Sequence, residues 1–151
     1  MPCPYFMPVE RLETMEWIHA PRLPLGDAYR GVCHAQPQDL FEPAESHQRD
    51  LCNCGYARDR CGRLPTGAPD AVRFSVIGDA GGCVRIIWVI EKDHAPVEFG
   101  TLEYAVGKLS FENFSTAPLL TAQATAFIRS YLDRASKQQS LLAGATASGN
   151  S

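Results

Sequence analysis

Leu51-Cys52-Asn53-Cys54-Gly55-Tyr56-Ala57-Arg58-Asp59-Arg60-Cys61 carries three of the six cysteines in this 151-residue chain. Cys3 and Cys33 lie upstream, so all but Cys83 fall in the first 61 positions. Thiols gathered on one half of a chain point to a shared centre rather than to packing alone. The thiolate is the ligating form of cysteine. Four thiolates complete either a tetrahedral zinc site or a cubane cluster. The expected set is therefore Cys3, Cys33, Cys61 and one of Cys52 and Cys54. If the helix runs through both, residues i and i+2 point to different sides and cannot share one centre; if it ends near Asn53, either can turn inward. Cys52 is the preferred ligand, because its offset from Cys61 leaves Gly55 room to turn the chain back. Cys54 is its substitute.

Iron is favoured over zinc on three signals. Cys3 is followed by Pro4, as a ligating cysteine is in the bacterial ferredoxin run, although the C-x₂-C-x₂-C spacing is missing. The paired C-x₂-C knuckles of structural zinc sites are missing too. The aromatic neighbours Tyr5, Phe6 and Tyr56 suit a cluster sunk in a shell that limits solvent access. The expected cofactor is a [4Fe–4S] cluster, in electron transfer or in stabilising a binding surface. Zinc is the alternative, held by Cys33, Cys52, Cys54 and Cys61 in an interaction or regulatory module.

Outward from this stretch the two halves differ. Nine of the eleven prolines lie at or before Pro69. Proline removes a backbone donor and disfavours helix before it, so residues 1–69 are expected to be mostly loop. Val9 to Ala20 has room for a turn or two of helix, and Arg22 to Asp27 reads as a turn. Tyr29 to Ala35 reads as a short extended piece carrying Cys33. A helix is expected from Pro43 to Asn53, with Gly55 just past its end.

After residue 70 the period becomes two. Val72, Phe74 and Val76 share one face of a first strand. Val84, Ile86, Trp88 and Ile90 share one face of a second, from Cys83 to Glu91. A third runs from Val97 to Tyr104. Gly78–Gly82 and Lys92–Pro96 are the intervening turns. This pattern predicts a three-stranded antiparallel meander. Its second strand is apolar on both faces and belongs at the centre. A helix from Pro118 to Gln138 follows, capped at Thr116, with Leu120, Ala124, Phe127, Ile128, Tyr131 and Ala135 on one face. The expected fold is α+β: one domain over 1–140, a cysteine-ligated half at 1–69, sheet and helix at 70–140, and a disordered tail at 141–151.

Composition excludes some functions. Hydrophobic content of 45 % and charged content of 21 % are ordinary for a globular domain. A net charge of −3 argues against a general nucleic-acid surface. No apolar run is long enough to span a bilayer. The N-terminus has neither the basic nor the apolar region of a secretory signal, so the expected compartment is the cytoplasm, where thiols stay reduced, and the expected partner is a protein. No Ser-His-Asp set, HExxH motif or arguable acid pair is present, and the reading leans away from an enzyme. Cys83 reads as a buried hydrophobe. His34 reads as a surface residue able at most to replace a zinc-ligating cysteine, and His47 is a weaker candidate. His19 and His94 read as solvated. Arg49, Arg58, Arg60 and Arg63 surround the cysteines, partly offset by Asp50 and Asp59; they read as a solvated face, the alternative being a local positive field that steadies an anionic cluster or meets an acidic partner or phosphate.

Overall fold

The computed structural model describes residues 2–12, 25–112 and 117–148. Its architecture is α+β. Two antiparallel strands, β1 (Phe6–Leu12) and β2 (Ala28–Cys33), form a small sheet. A short helix, α1 (Glu45–His47), continues as one stretch of π-helix over Gln48–Cys52. Strands β3 (Ala71–Ala80), β4 (Cys83–Lys92), β5 (Ala95–Ala105) and β6 (Ser110–Phe111) form a second antiparallel sheet in sequential order. Helix α2 (Pro118–Ser148) closes the fold.

The period-2 stretches become strands because alternation buries one face. Val72 and Phe74 are buried while Arg73 and Ser75 are exposed. Strand β4 lies inside the sheet, between β3 and β5, as its two apolar faces require. Both tight hairpins turn on left-handed backbone. Gly81 and Gly82 have φ of 65° and 75°, and Asp93 and His94 have φ of 51° and 63°. Such turns match the right-handed twist of the strands they join. The expected turns Gly78–Gly82 and Lys92–Pro96 therefore shrink to two residues each, and the strands run further than the turn composition suggests.

The meander has four strands, not three. The short β6 pairs Phe111 with Tyr104, and their rings meet edge to face at 5.1 Å. The proline-rich half is also less loop-like than expected. Strand β1 occupies Val9–Leu12, where a helix was expected; the rest of that stretch, to Ala20, lies outside the described residues. Pro8 is tolerated because β1 is an edge strand with a register shift between Pro8 and Glu10. The cap expected at Thr116 also lies outside the described residues. Helix α2 continues past Gln138 to Ser148, through much of the stretch expected to be disordered. Leu141 and Leu142 on that extension are 75 % and 70 % exposed, so the extension does not join the core.

One core joins both sheets to α2. It includes Phe6 and Tyr29 from the small sheet, Phe74, Ile86 and Leu102 from the large one, and Leu120, Ala124, Phe127 and Ile128 from α2. Phe74 and Phe127 stack at 5.7 Å between centroids. Ile86 and Ile128 are fully buried; truncating either to alanine would cost about 2–5 kcal/mol.

Candidate metal centre

Four separate segments deliver Cys3, Cys33, Cys52 and Cys61 to one pocket. Backbone hydrogen bonds hold each in place. The Val72 N–H donates to the Pro2 carbonyl, and the Cys3 N–H donates to the Cys52 carbonyl at 3.0 Å. This sets the N-terminal segment between the edge of β3 and the end of the π-helix. Gln123 of α2 is fully buried and donates from Nε2 to the carbonyls of Cys3 and Phe6 at 2.8 and 2.7 Å. Cys33 ends β2, opposite Phe6, and its N–H donates to the Phe41 carbonyl. Cys61 sits on a turn whose N–H donates to the carbonyl of buried Ala57 at 2.8 Å.

Cys52 owes its position to two buried amides. Asn53 is 1 % exposed. Its Oδ1 accepts from the Tyr29 N–H at 2.9 Å, and its Nδ2 donates to the Tyr29 and Gln48 carbonyls at 3.0 and 2.9 Å. Gln48 accepts from the Gly31 N–H at 2.9 Å and donates to the Pro43 carbonyl. These side chains satisfy the edge of β2 that faces away from β1, where a further strand would otherwise pair. A buried edge demands such partners, so the amides fasten the π-helix to the sheet and fix its rotation. The π-stretch itself is of a kind that recurs at functional sites.

The two neighbouring thiols separate here. Cys52 is 8 % exposed and lines the pocket. Cys54 lies beyond the helix end, outside the pocket lining, with Sγ 3.5 Å from the Arg49 carbonyl. Gly55, with φ of 72°, turns the chain back. Tyr56 then anchors the returning loop: its N–H donates to the Asp70 carbonyl, its hydroxyl donates to Glu91 at 2.8 Å, and its ring stacks on His94 at 4.4 Å. His94, expected to be solvated, is exposed but carries this contact.

Apolar side chains, among them Phe6, Leu51 and Leu64, make up most of the remaining wall. Two polar groups join them. His47 Nε2 lies 3.3 Å from Cys61 Sγ, so the less favoured histidine is the one at the thiols, while His34 is not part of the lining. Arg63 completes the rim. Of the other arginines near the cysteines, Arg58 bridges Asp70 and Asp93 at 3.0 and 2.9 Å, and Arg49 pairs with Asp50.

Electrostatics inside the pocket oppose bare thiolates. Burial, then the charges of Cys33 and Cys61, pushes Cys3 up to about 11, against a lowering backbone hydrogen bond at Tyr5. Burial, then the charges of Cys3, Cys33 and Cys61, pushes Cys52 up to about 12. Four negative sulfurs in an apolar wall repel one another, and a cationic core between them would remove that penalty. The donor set thus fits a metal–sulfur group. Space is tighter. The central cavity holds about 20 Å³, about enough for one water. Among the described residues no three His, Cys, Asp or Glu side chains stand close enough to hold a single metal ion.

Cysteine clustering in the sequence led to the four thiols. It did not lead to Gln48, Asn53 or Gln123, whose roles depend on which backbone groups face them. Cys83, the remaining cysteine, is half-buried where β4 leaves its hairpin.

Among the described residues no helix is long and apolar enough to cross a membrane. Comparison with protein-family models, with curated proteins and with solved structures finds no match.

Proposed function

We propose that Cys3, Cys33, Cys52 and Cys61 ligate an iron–sulfur cluster of the [4Fe–4S] type, and that the protein transfers electrons to a protein partner in the cytoplasm. The observation that supports this reading is the convergence of four thiols, from four segments, on one apolar pocket. A single zinc needs its four ligands within about 2.3 Å of one point. A cubane takes one thiolate at each iron corner, so its ligands stand wider apart. When bound, the cluster would supply a one-electron couple. The chain's own residues would supply the four thiolates, an apolar wall that excludes water, and a histidine and an arginine at the sulfurs.

Electron transfer is preferred over a purely structural role because the site lies near the surface. Cys3, Cys33 and Cys61 are half-buried, and the rim residue Phe41 is 39 % exposed. The small cavity adds a condition: holding a cluster requires the pocket to widen.

The test is the iron and acid-labile sulfide content of protein purified without oxygen, with a visible spectrum before and after dithionite. About four iron and four sulfide per chain, with a band that bleaches, is the expected result. Cys52→Ser should lose most of the iron, and Cys54→Ser should keep it. One zinc per chain and a blank spectrum would replace this reading with a zinc-stabilised interaction module. Neither metal would refute both.

A further inference from the structure

We infer that Arg63 is a positioning residue for the proposed centre, its buried Nε–H directed at the sulfurs on the Cys33 side of the pocket. The inference rests on the iron–sulfur reading. Arg63 is held from three sides. Its Nη1 donates to Asp39 Oδ2 at 3.3 Å and its Nη2 to the Asp39 carbonyl at 2.6 Å. Its guanidinium carbon sits 4.2 Å from the centroid of the Phe41 ring. Its side chain is only 23 % exposed, and it lines the pocket with Cys33.

One donor is left over. The Nε atom is buried and has no hydrogen-bond acceptor among the described residues. Leaving a buried donor unpaired is costly, and more so for a charged group. A neutral thiol is a weak acceptor, whereas a thiolate or sulfide is a strong one. A metal–sulfur group in the pocket would therefore give the stranded donor its partner. Arginine suits this better than lysine, because the planar fork lets Asp39 hold one edge while Nε points elsewhere. A fixed positive donor at the sulfurs favours the reduced, more negative state of a cluster and raises its potential.

The experiment compares wild type, Arg63→Met and Arg63→Lys, all purified without oxygen. The readouts are iron and sulfide content, midpoint potential, and the exchangeable-proton coupling of the reduced centre by pulsed electron paramagnetic resonance. In Arg63→Met the reduced state should lose about tenfold in relative stability, a fall of about 59 mV for a one-electron couple, with iron content near wild type. Arg63→Lys should fall between, because it keeps the charge without the fork. An exchangeable proton seen in wild type should vanish in both variants. If Arg63→Met does not fold, Arg63→Lys decides: an unchanged proton coupling there overturns the inference. Unchanged potential and coupling in iron-loaded Arg63→Met overturn it alone and leave the cluster standing. Wild-type protein without iron and sulfide overturns the cluster reading and this inference with it.

Discussion

Replacing Asn53 by alanine should destabilise the protein by about 3 kcal/mol. The substitution removes three hydrogen bonds, of 2.9, 3.0 and 2.9 Å. Each is worth about 0.5–1.5 kcal/mol net, so the sum is about 1.5–4.5 kcal/mol. The true loss should sit in the middle or above, because the site is 1 % exposed and the Tyr29 N–H is left without a partner. For a chain of this length each kcal/mol lowers Tm by about 2–4 °C, which gives a fall of about 6–12 °C. Urea unfolding supplies the free energy and a calorimetric scan supplies Tm. Amide exchange adds a local readout: the Tyr29 amide should lose its protection. Asn53→Asp should be at least as damaging. It keeps an acceptor for Tyr29 but turns a carboxylate towards two carbonyls. A loss below about 1 kcal/mol for Asn53→Ala, or a Tyr29 amide still protected at the wild-type level, would refute the idea that this amide closes the edge of β2.

Further outcomes follow from the same structure. A Cβ built at Gly31 would overlap the Met7 carbonyl oxygen, so Gly31→Ala should force β1 and β2 apart at a cost of about 1–3 kcal/mol, read by urea unfolding. Tyr56 is pushed up to about 12, by burial first and then by its hydrogen bond and proximity to Glu91. The folded state therefore holds this proton more tightly than the unfolded chain. The associated stability is fully present below about pH 10 and is lost towards pH 12. Tyr56→Phe should make the alkaline fall in stability shallower, and should remove the highest-pH step from the phenolate absorbance titration. Deleting residues from Leu141 onward should change stability by less than about 0.5 kcal/mol, because Leu141 and Leu142 are exposed; a larger loss in urea would show that the end of α2 is held.

Much of the second half was legible because its pattern is local. Alternation in 71–77 and 83–91 marks one buried face, and the helical spacing from Leu120 to Ile128 marks another; all three meet in the core. The fourth strand escaped notice because two residues, Ser110 and Phe111, are too few to show a period. Strand β1 escaped because Pro8 reads as a break, although an edge with a shifted register accepts it. The extension of α2 escaped because its exposed residues have no apolar face to announce a helix.

From the sequence alone came the mixed class, the central place of β4, the covering face of α2 and the group of cysteines worth considering together. These depend on residue type and near-neighbour spacing, which are written along the chain. Tertiary structure decided which thiols meet. The Cys3–Cys52 backbone hydrogen bond brings the start of the chain to the pocket. The phase of the π-helix, set by Gln48 and Asn53 on the edge of β2, turns Cys52 inward and leaves Cys54 outside. Such choices depend on which backbone donors and acceptors remain free once the strands have paired. No local pattern carries that information, because the free groups exist only in the assembled fold.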